Sequence, residues 1–403
     1  MRQRVLSRIA GAALAALMLC AQAQDAVRPE VGKPLQAAQE LIKAGKYKEA
    51  LAKVRDADAI SGKTAGENYL IERMRIAAAS GAGDVETAAK SFEAISARVS
   101  GADKLRMLES LAGAYYRAHD YSKAMQWGQR YFKEGGTSPA IRTLLIQSQY
   151  LGGDFAGAAR ELTTEIQQAE KAGNAPAEDR LKLLVNATLK MNDTNGYVWA
   201  LERLVTYYPK KEYWVDLLSR LQRKPNFSDR LALDTYRLSL ATGSISAAND
   251  YMEMAQLALQ AGLPGEARQV VDKGFAAGAL GVGNEAERHK RLRDLVAKRV
   301  DEDQKAQVEA LAQAQQAKDG TALVNLGMNL VFNGDKARGL QLMQQGIAKD
   351  KLKRGEDAKL HLGIAQLIVG DNSRAQATFR SVGGSDGTAD LARLWGLFAR
   401  RKA

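Results

Sequence analysis

The side chains best suited to acid–base or metal chemistry are few and widely separated in this sequence. Its three histidines are His119, His289 and His361, and no His-Glu-x-x-His pair is present to place two zinc ligands on one helix face. The full Gly-x-x-x-x-Gly-Lys-Ser/Thr pattern of a phosphate-binding loop is also absent. The many carboxylates form no pair that stands out from an ordinary helical surface. The sequence therefore predicts no enzyme, no cofactor and no metal site, with a hydrolase built on a helical scaffold as an alternative.

A recurring six-residue motif indicates how the helices that would position any site are organised. In each copy a glycine or small polar residue ends one helix, and a small residue, usually alanine, stands at the sixth position. The copies are Gly45–Ala50, Gly83–Ala88, His119–Ala124, Gly153–Ala158, Gly262–Ala267, Gly334–Gly339 and Gly370–Ala375. Most intervals are 34 to 38 residues, and the two longer gaps contain degenerate copies near Tyr197, Ala232 and residues 303–310. Such a period is typical of an all-α solenoid of helix–turn–helix units, which bury their apolar faces against one another.

The repeats resemble the tetratricopeptide family. That family has an aromatic residue, Leu-Gly and Tyr in the first helix of a repeat, and Ala, Phe and Pro in the second. The fragments present are Tyr251 with Met254-Ala255 and Ala258, Leu323 with Leu326-Gly327 and Leu330, Leu362-Gly363 with Phe379, and Leu201 with Leu204 and Pro209. The resemblance implies an all-α, right-handed superhelix of about nine to ten tetratricopeptide-type repeats. An irregular all-helical bundle is the alternative.

The same resemblance implies a binding surface. The first helices of tetratricopeptide repeats line a concave groove that holds an extended peptide or a partner's helix. The residues expected to face this groove are Glu109, Tyr116, Arg117, Gln147, Tyr150, Asn186 and Lys190. Tyrosine and arginine suit an interface because they combine contact area with directional hydrogen bonds. We therefore expect protein partners, with an ordinary exposed helix surface as the alternative for each residue.

The amino terminus has the features of a secretory signal peptide. These are, in order, Arg2, Arg4 and Arg8, the apolar run from Ile9 to Leu19, and the small-x-small site Ala21-Gln22-Ala23. An apolar run of this length is too short to cross a bilayer, which takes about 20 residues. Lipidation at Cys20 is an alternative, but Leu19 stands where a bacterial lipoprotein signal has a small residue. We predict cleavage after Ala23 and a periplasmic protein.

The formal net charge of the chain is +12, of which +9 remains after removal of the predicted signal peptide. A basic balance can indicate nucleic acid as a partner. Export argues against that reading, and the basic residues are scattered without a dense patch or interleaved aromatic residues. We expect no nucleic-acid partner. An acidic protein partner or peripheral contact with an anionic envelope surface fits the charge, and a merely basic surface is the alternative.

The second half, roughly residues 190–403, shows a narrower resemblance. The segments that carry it are Tyr208–Trp214, Tyr251–Ala255, Ala261–Pro264, Val271–Gly274, His361–Gly363, Phe379–Val382 and Gly387–Trp395. They are similar to exported tetratricopeptide proteins of Gram-negative bacteria, some of which are described as components of TonB energy-transduction systems. The resemblance implies a periplasmic scaffold or adaptor of such a system and brings no catalytic residues. A scaffold for envelope assembly or export, such as outer-membrane protein, pilus or polysaccharide machinery, is the alternative.

The sequence divides into five predicted segments. They are a signal peptide (1–23), an extended leader (24–34), amino-terminal repeats (35–277), carboxy-terminal repeats (278–382), and a capping helix with a basic tail (383–403). The loop-like stretch Gly278–Asn284 sets the middle boundary. Within it, Gly281-Val-Gly283 imitates a dinucleotide fingerprint, but that motif requires a preceding strand, and a helical pattern precedes it here. We expect a charged helix from about Glu285 to Lys318 and a last helix that covers the final repeat.

Overall fold

A computed structural model describes residues 27–349 and 352–400 of the chain. These residues form 20 α-helices, α1 to α20, and no strand. The fold is therefore all-α, as predicted, and its helix–turn–helix repeats are of tetratricopeptide type. None of the described helices has both the length and the apolar character needed to cross a bilayer. The predicted signal peptide, Cys20 and the last three residues of the basic tail lie outside the described residues.

The chain forms two compact units that divide between Glu161 and Leu162. The helices of the amino-terminal unit are α1 (Pro29–Lys43), α2 (Tyr47–Asp58), α3 (Ala65–Ala82), α4 (Val85–Ile95), α5 (Gly101–Arg117), α6 (Tyr121–Lys133) and α7 (Pro139–Leu151). Helix α8 (Phe155–Lys171) begins in this unit and ends in the next. Odd-numbered helices are the first helices of their repeats here, and even-numbered helices are the second.

The turns inside the repeats follow one local rule in both units. The residue that ends the first helix has a positive φ, which glycine adopts without steric cost. His119, at φ 60°, and Asn192, at φ 55°, occupy this place in two repeats, so His119 has a local structural role in its turn. An aspartate follows in several turns and accepts a hydrogen bond from the backbone N–H three residues later. These caps are Asp84, Asp120, Asp154, Asp193 and Asp371. Together they end one helix and begin the next within a few residues.

The small residue of the motif lies in the core, as the repeat register predicts. Ala50, Ala88, Ala124 and Ala158 have no exposed surface. In the amino-terminal unit, larger apolar side chains, including Phe92 and Leu111, belong to the same core cluster as Ala88 and Ala124. A side chain no larger than a methyl group at this position allows the second helix of a repeat to approach its neighbours closely.

The extended leader predicted for residues 24–34 is wrong from Pro29 onward, because α1 begins there. Proline fits the start of a helix, since its φ is already helical and its missing N–H would have no partner in the first turn. The start is also fixed from outside the helix. The backbone N–H and the guanidinium of Arg28 donate hydrogen bonds to Glu67, which is buried at the start of α3.

The carboxy-terminal unit contains the other helices. They are α9 (Glu178–Lys190), α10 (Thr194–Tyr207), α11 (Lys211–Gln222), α12 (Ala232–Thr242), α13 (Ala248–Gln260), α14 (Pro264–Ala276), α15 (Ala286–Gln316), α16 (Thr321–Asn333), α17 (Lys336–Ala348), α18 (Gly355–Ile368), α19 (Asn372–Arg380) and α20 (Thr388–Arg400). The degenerate copy predicted at 303–310 is wrong, because α15 is continuous through this stretch. The stretch has no glycine or proline to break the helix.

Helices α16 and α17 cross at four glycines. A Cβ atom on Gly327 would lie 2.5 Å from the backbone oxygen of Gly339, and the reverse distance is also 2.5 Å. Gly320, which directly precedes α16, and Gly346 of α17 approach each other in the same way. Gly339 occupies the small position of the motif. In this repeat a glycine therefore replaces the usual alanine, and the two helix backbones can come into contact.

The last helix, α20, does more than cover the final repeat. It packs on α18 and α19, as a cap should, but it also contacts α10 and α12. Trp214 of α11 meets Phe398 with ring centroids 6.5 Å apart, and the backbone N–H of Ser228 donates to the oxygen of Asp386 at 2.9 Å. The carboxy-terminal unit is thereby closed by contacts between residues far apart in sequence. The predicted boundary between residues 277 and 278 falls in the loop between α14 and α15 and stays a prediction as a domain boundary.

Candidate partner-binding face

In the amino-terminal unit the first helices form a continuous row. Helix α1 contacts α3, α3 contacts α5, and α5 contacts α7. No two of the second helices α2, α4 and α6 contact each other as extensively. The first helices are therefore the closer-packed side of this unit, which is the side that a curved repeat array turns inward.

Two of the predicted site residues are joined directly across adjacent repeats. Tyr116 of α5 donates a hydrogen bond from its hydroxyl to Oε1 of Gln147 on α7, at 3.1 Å. The ring of Tyr116 also meets Tyr121 edge-on, with centroids 5.8 Å apart. Burial raises the pKa of the Tyr116 hydroxyl. Tyr116 is thus a half-buried, preorganised side chain and not a freely exposed one.

Tyr150 repeats the position of Tyr116 in the next repeat, since each stands three residues before the positive-φ turn residue. Its ring packs edge-on against Phe155 with centroids 5.3 Å apart. Leu151, which follows Tyr150, is 50% exposed, and sequence reasoning missed it. The repeat offset could have found it, because Leu151 occupies the place that Arg117 holds in the preceding repeat.

Glu109 and Arg117 lie on the same side of α5 as each other, two helical turns apart. Glu109 is half-buried and Arg117 is exposed. The guanidinium of Arg117 reaches back to Gly113, where a Cβ atom would lie 3.4 Å from its Nη1. We call the set Glu109, Tyr116, Arg117, Gln147, Tyr150 and Leu151 the first-helix face. It combines tyrosine and arginine, which are enriched among the residues that anchor interfaces, with an exposed leucine.

The remaining predicted site residues, Asn186 and Lys190, lie on α9 in the carboxy-terminal unit. Both are exposed. Asn186 precedes the turn residue Asn192 by the same number of residues as Gln147 precedes Gly153, so the two occupy equivalent positions in their repeats. Leu189, 46% exposed, takes the place of Tyr150. The first helix of this repeat therefore also presents an apolar and a cationic side chain together.

A second cluster on α3 was missed from the sequence. The guanidinium groups of Arg73 and Arg98 lie 5.7 and 4.8 Å from the centroid of the Tyr69 ring. Arg73 also pairs with Asp103 at the start of α5, at 3.8 Å. Arg73 precedes Glu109 by 36 residues, which is one repeat, so the offset again gave a usable signal. Because both arginines are already occupied, this cluster mainly joins adjacent repeats.

The carboxy-terminal unit contains a buried charge network. Arg237 of α12 donates from Nε and Nη2 to the two carboxylate oxygens of Glu266 at 2.7 and 2.6 Å, and from Nη1 to Asp234 at 2.7 Å. His361 of α18 lies with Nε2 2.9 Å from the same Asp234 oxygen. Burial would raise the pKa of Asp234, but the charges of His361 and Arg237 lower it below its ordinary value. The network joins α12, α14 and α18, and it satisfies all three nitrogens of the guanidinium.

The network borders a cavity of about 370 Å³. Arg230, Asp357 and Leu233 are among the residues that line it. Burial raises the pKa of the Asp357 carboxyl, although Arg230 donates to it at 2.8 Å. The lining includes no serine, threonine, cysteine or lysine, so the His361–Asp234 pair has no hydroxyl, thiol or amine nucleophile beside it in the cavity.

Residues Gly383–Gly387 read Gly-Gly-Ser-Asp-Gly and match the nucleophile pattern Gly-x-Ser-x-Gly, so an expectation that this pattern is missing from the sequence is wrong. In hydrolases that pattern stands on a turn between a strand and a helix. Here it follows α19, and no described residue forms a strand. Ser385 is exposed, and no hydrogen bond joins it to a histidine in the described part of the chain. The match therefore does not make a catalytic site. No cluster of metal-ligating side chains occurs among the described residues either.

Comparison with known proteins gives distant structural likeness only. No protein-family profile matches the sequence. No curated protein matches it. Yeast Tom70 is 12% identical, over 92% of this chain and 96% of that chain, with a TM-score of 0.25. The TPR2AB domain of yeast Sti1, solved as a complex with pHSP90, is 10% identical over 74% and 100%, with a TM-score of 0.25. A chain of Naa15/Naa10 bound to HypK-THB is 16% identical over 90% and 58%, with a TM-score of 0.30. These TM-scores are too low to carry an argument, and the fold described above rests on this chain's own helix pairing.

Proposed function

We propose that the protein is an interaction scaffold that holds a segment of a partner protein on the first-helix face of its amino-terminal unit. The observation that carries the proposal is the Tyr116–Gln147 hydrogen bond, which fixes side chains of two adjacent repeats beside the exposed Arg117 and Leu151. A partner then meets an ordered surface, and less conformational entropy is lost on binding. The face needs no chemistry to perform this role.

The chemistry of the face favours an acidic partner with an apolar anchor. Arg117 is exposed and has no ion-pair partner among the described residues, and the same is true of Lys190 on α9. Leu151 supplies exposed apolar surface next to Tyr150. Complementary charges mainly speed association and set specificity, whereas the apolar and aromatic contacts supply most of the affinity. Raised salt should therefore weaken capture without abolishing it.

The proposed place of action is the periplasm, and the proposed partner is a component of a TonB energy-transduction system. The charged amino terminus, the short apolar run and Ala21-Gln22-Ala23 support export after cleavage at Ala23. The TonB assignment is supported by the sequence resemblance of residues 190–403 alone. Mass spectrometry of the native protein should find Gln24 at its amino terminus. A diacylated Cys20 would contradict the cleavage site.

The test is a pull-down from periplasm with the mature chain as bait. An Arg117→Ala, Leu151→Ala variant should lose most of the captured partner and keep the parent's melting temperature, because both positions are exposed. Tyr116 is left intact, since its half-buried ring would confound stability with binding. Lys90→Ala with Lys133→Ala, on exposed positions of α4 and α6, is the control and should capture normally.

The identity of the captured protein tests the proposed role in a TonB energy-transduction system. A TonB-system component supports it, and an outer-membrane assembly, pilus or polysaccharide component would replace it with the envelope-assembly scaffold. Loss of capture in the control but not in the Arg117, Leu151 variant would place binding on the second helices. It would contradict binding of the partner on the first-helix face. Turnover of a peptidoglycan, ester or phosphate substrate by the purified chain would overturn the non-enzymatic proposal.

A further inference from the structure

Helix α15 presents a basic stripe to solvent along its amino-terminal half. His289, Leu292, Val296 and Val300 are its buried side. A separate stripe contains Arg288, Arg291, Leu295, Lys298 and Arg299, which share one face at helical spacing and are all exposed. Arg288 pairs with Glu285 at 3.1 Å at the start of the stripe, and the exposed Asp294 lies on the adjoining line of the helix surface. Glu302 ends the stripe and pairs with Arg299 at 2.9 Å.

Between its paired ends the stripe contains one cation without an ion pair, one weakly paired cation and exposed apolar surface. Arg291 has no ion pair or hydrogen bond among the described residues, and the only ion pair of Lys298 there is a 3.9 Å contact with Glu302. Leu295, between them, is 44% exposed. The middle of the stripe therefore differs from its two ends, where Arg288 and Arg299 are paired with Glu285 and Glu302.

A pinned loop places a second apolar side chain at the start of α15. The backbone N–H of Gly281 donates to Nδ1 of the buried His289 at 3.1 Å. Gly281 also lies against Phe275, whose ring stacks under the guanidinium of Arg293 at 5.0 Å. Val282 is 57% exposed although the loop around it is fixed. Its flanking glycines both have positive φ, so the loop holds the valine outward with a backbone that other residues rarely adopt.

We propose that the α15 stripe and Val282 form a docking surface for an anionic lipid bilayer. Basic side chains near a bilayer are attracted by anionic headgroups, and each contributes separately to binding. Leu295 and Val282 would enter the boundary between headgroups and acyl chains, where apolar side chains are stable. A rigid helix that presents cations beside isolated apolar side chains matches a lipid surface, where anionic headgroups lie directly above the acyl chains.

The proposal goes beyond the partner-binding role, because the stripe lies in the carboxy-terminal unit and uses none of the residues of the first-helix face. Its test is co-sedimentation of the purified chain with vesicles of phosphatidylglycerol and phosphatidylcholine, compared with phosphatidylcholine alone. The parent should bind the anionic vesicles selectively, and raised salt should release it. Failure of partner capture would leave this result unchanged, so the two proposals fail independently.

Two variants and a matched control locate the surface. Arg291→Gln with Lys298→Gln should weaken vesicle binding roughly ten- to thirtyfold, following the loss of two cations near the headgroups. Lys336→Gln with Arg338→Gln removes the same charge from exposed positions on α17 and should bind as the parent does. Val282→Ser should weaken binding without changing its dependence on salt.

Three outcomes would overturn the proposal. They are equal binding to both kinds of vesicle, an equal loss in the α17 control, and binding to soluble polyglutamate with none to anionic vesicles. The last would mean that the stripe recognises an acidic polypeptide and not lipid. Circular dichroism of each variant should match the parent, since all substituted residues are exposed.

Discussion

The two units keep their helices together in different ways. In the amino-terminal unit each helix contacts helices that are near it in sequence, and small residues such as Ala124 set the spacing. In the carboxy-terminal unit α20 returns to α10 and α12, and buried charges on α12, α14 and α18 meet. The first arrangement repeats one local rule, whereas the second depends on specific long-range partners.

The difference predicts where single substitutions will be most costly. Each repeat of an array contacts only its neighbours, so a local defect mainly destabilises the adjacent repeats. The network around Arg237 cannot distribute a defect in this way, because removal of one charge leaves others buried and unpaired. The predictions below compare the two arrangements directly.

The largest effect is expected for Arg237→Met. This change leaves Glu266 buried without an ion-pair partner and Asp234 with His361 alone, at a cost of about 3–5 kcal/mol in the free energy of unfolding. Urea unfolding followed by circular dichroism measures it. Arg117→Met in the amino-terminal unit is the same chemical change at an exposed position and should stay within about 0.5 kcal/mol of the parent. Similar costs for the two variants would contradict the contrast between the units.

A smaller effect is expected for Ala124→Leu in the amino-terminal unit. Ala124 has no exposed surface, and a longer side chain would overpack the crossing of α6 with its neighbours at a cost of about 1–3 kcal/mol. The control is Ala118→Leu, because Ala118 is exposed at the end of α5. Thermal melting of both variants provides the comparison. An Ala124→Leu protein that melts like the parent would show that the repeat register is wrong.

The contrast also explains what the sequence could and could not predict. Turns with a positive φ, and the buried alanines that follow them, arise from local rules, so Gly83–Ala88 and its copies predicted the repeats correctly. The repeat pattern placed Tyr116 and Gln147 on adjacent first helices, but it did not predict the hydrogen bond between them. The return of α20 could not be predicted, because nothing near Asp386 in sequence indicates that Arg230 is its partner. The start of α1 at Pro29 also depends on a distant residue, Glu67.

The smallest effect concerns pH and Glu67, a buried carboxylate that links repeats in the amino-terminal unit. Hydrogen bonds from Arg28 and from the backbone of Thr64 lower the pKa of Glu67 to about 2. Since the folded pKa lies below the unfolded value of 4.5, the carboxylate stabilises the fold fully above pH 4.5. That contribution is lost as the pH falls toward about 2.

The parent should therefore unfold at a higher urea concentration than Glu67→Gln at neutral pH, and the urea-unfolding curves of the two proteins should converge in acid. Glu40→Gln, at an exposed position on α1, should follow the parent throughout. A parent–Glu67→Gln difference that is independent of pH would show that the contact stabilises α1 by shape alone, and the amino-terminal unit would then contain no counterpart of the charge network around Arg237.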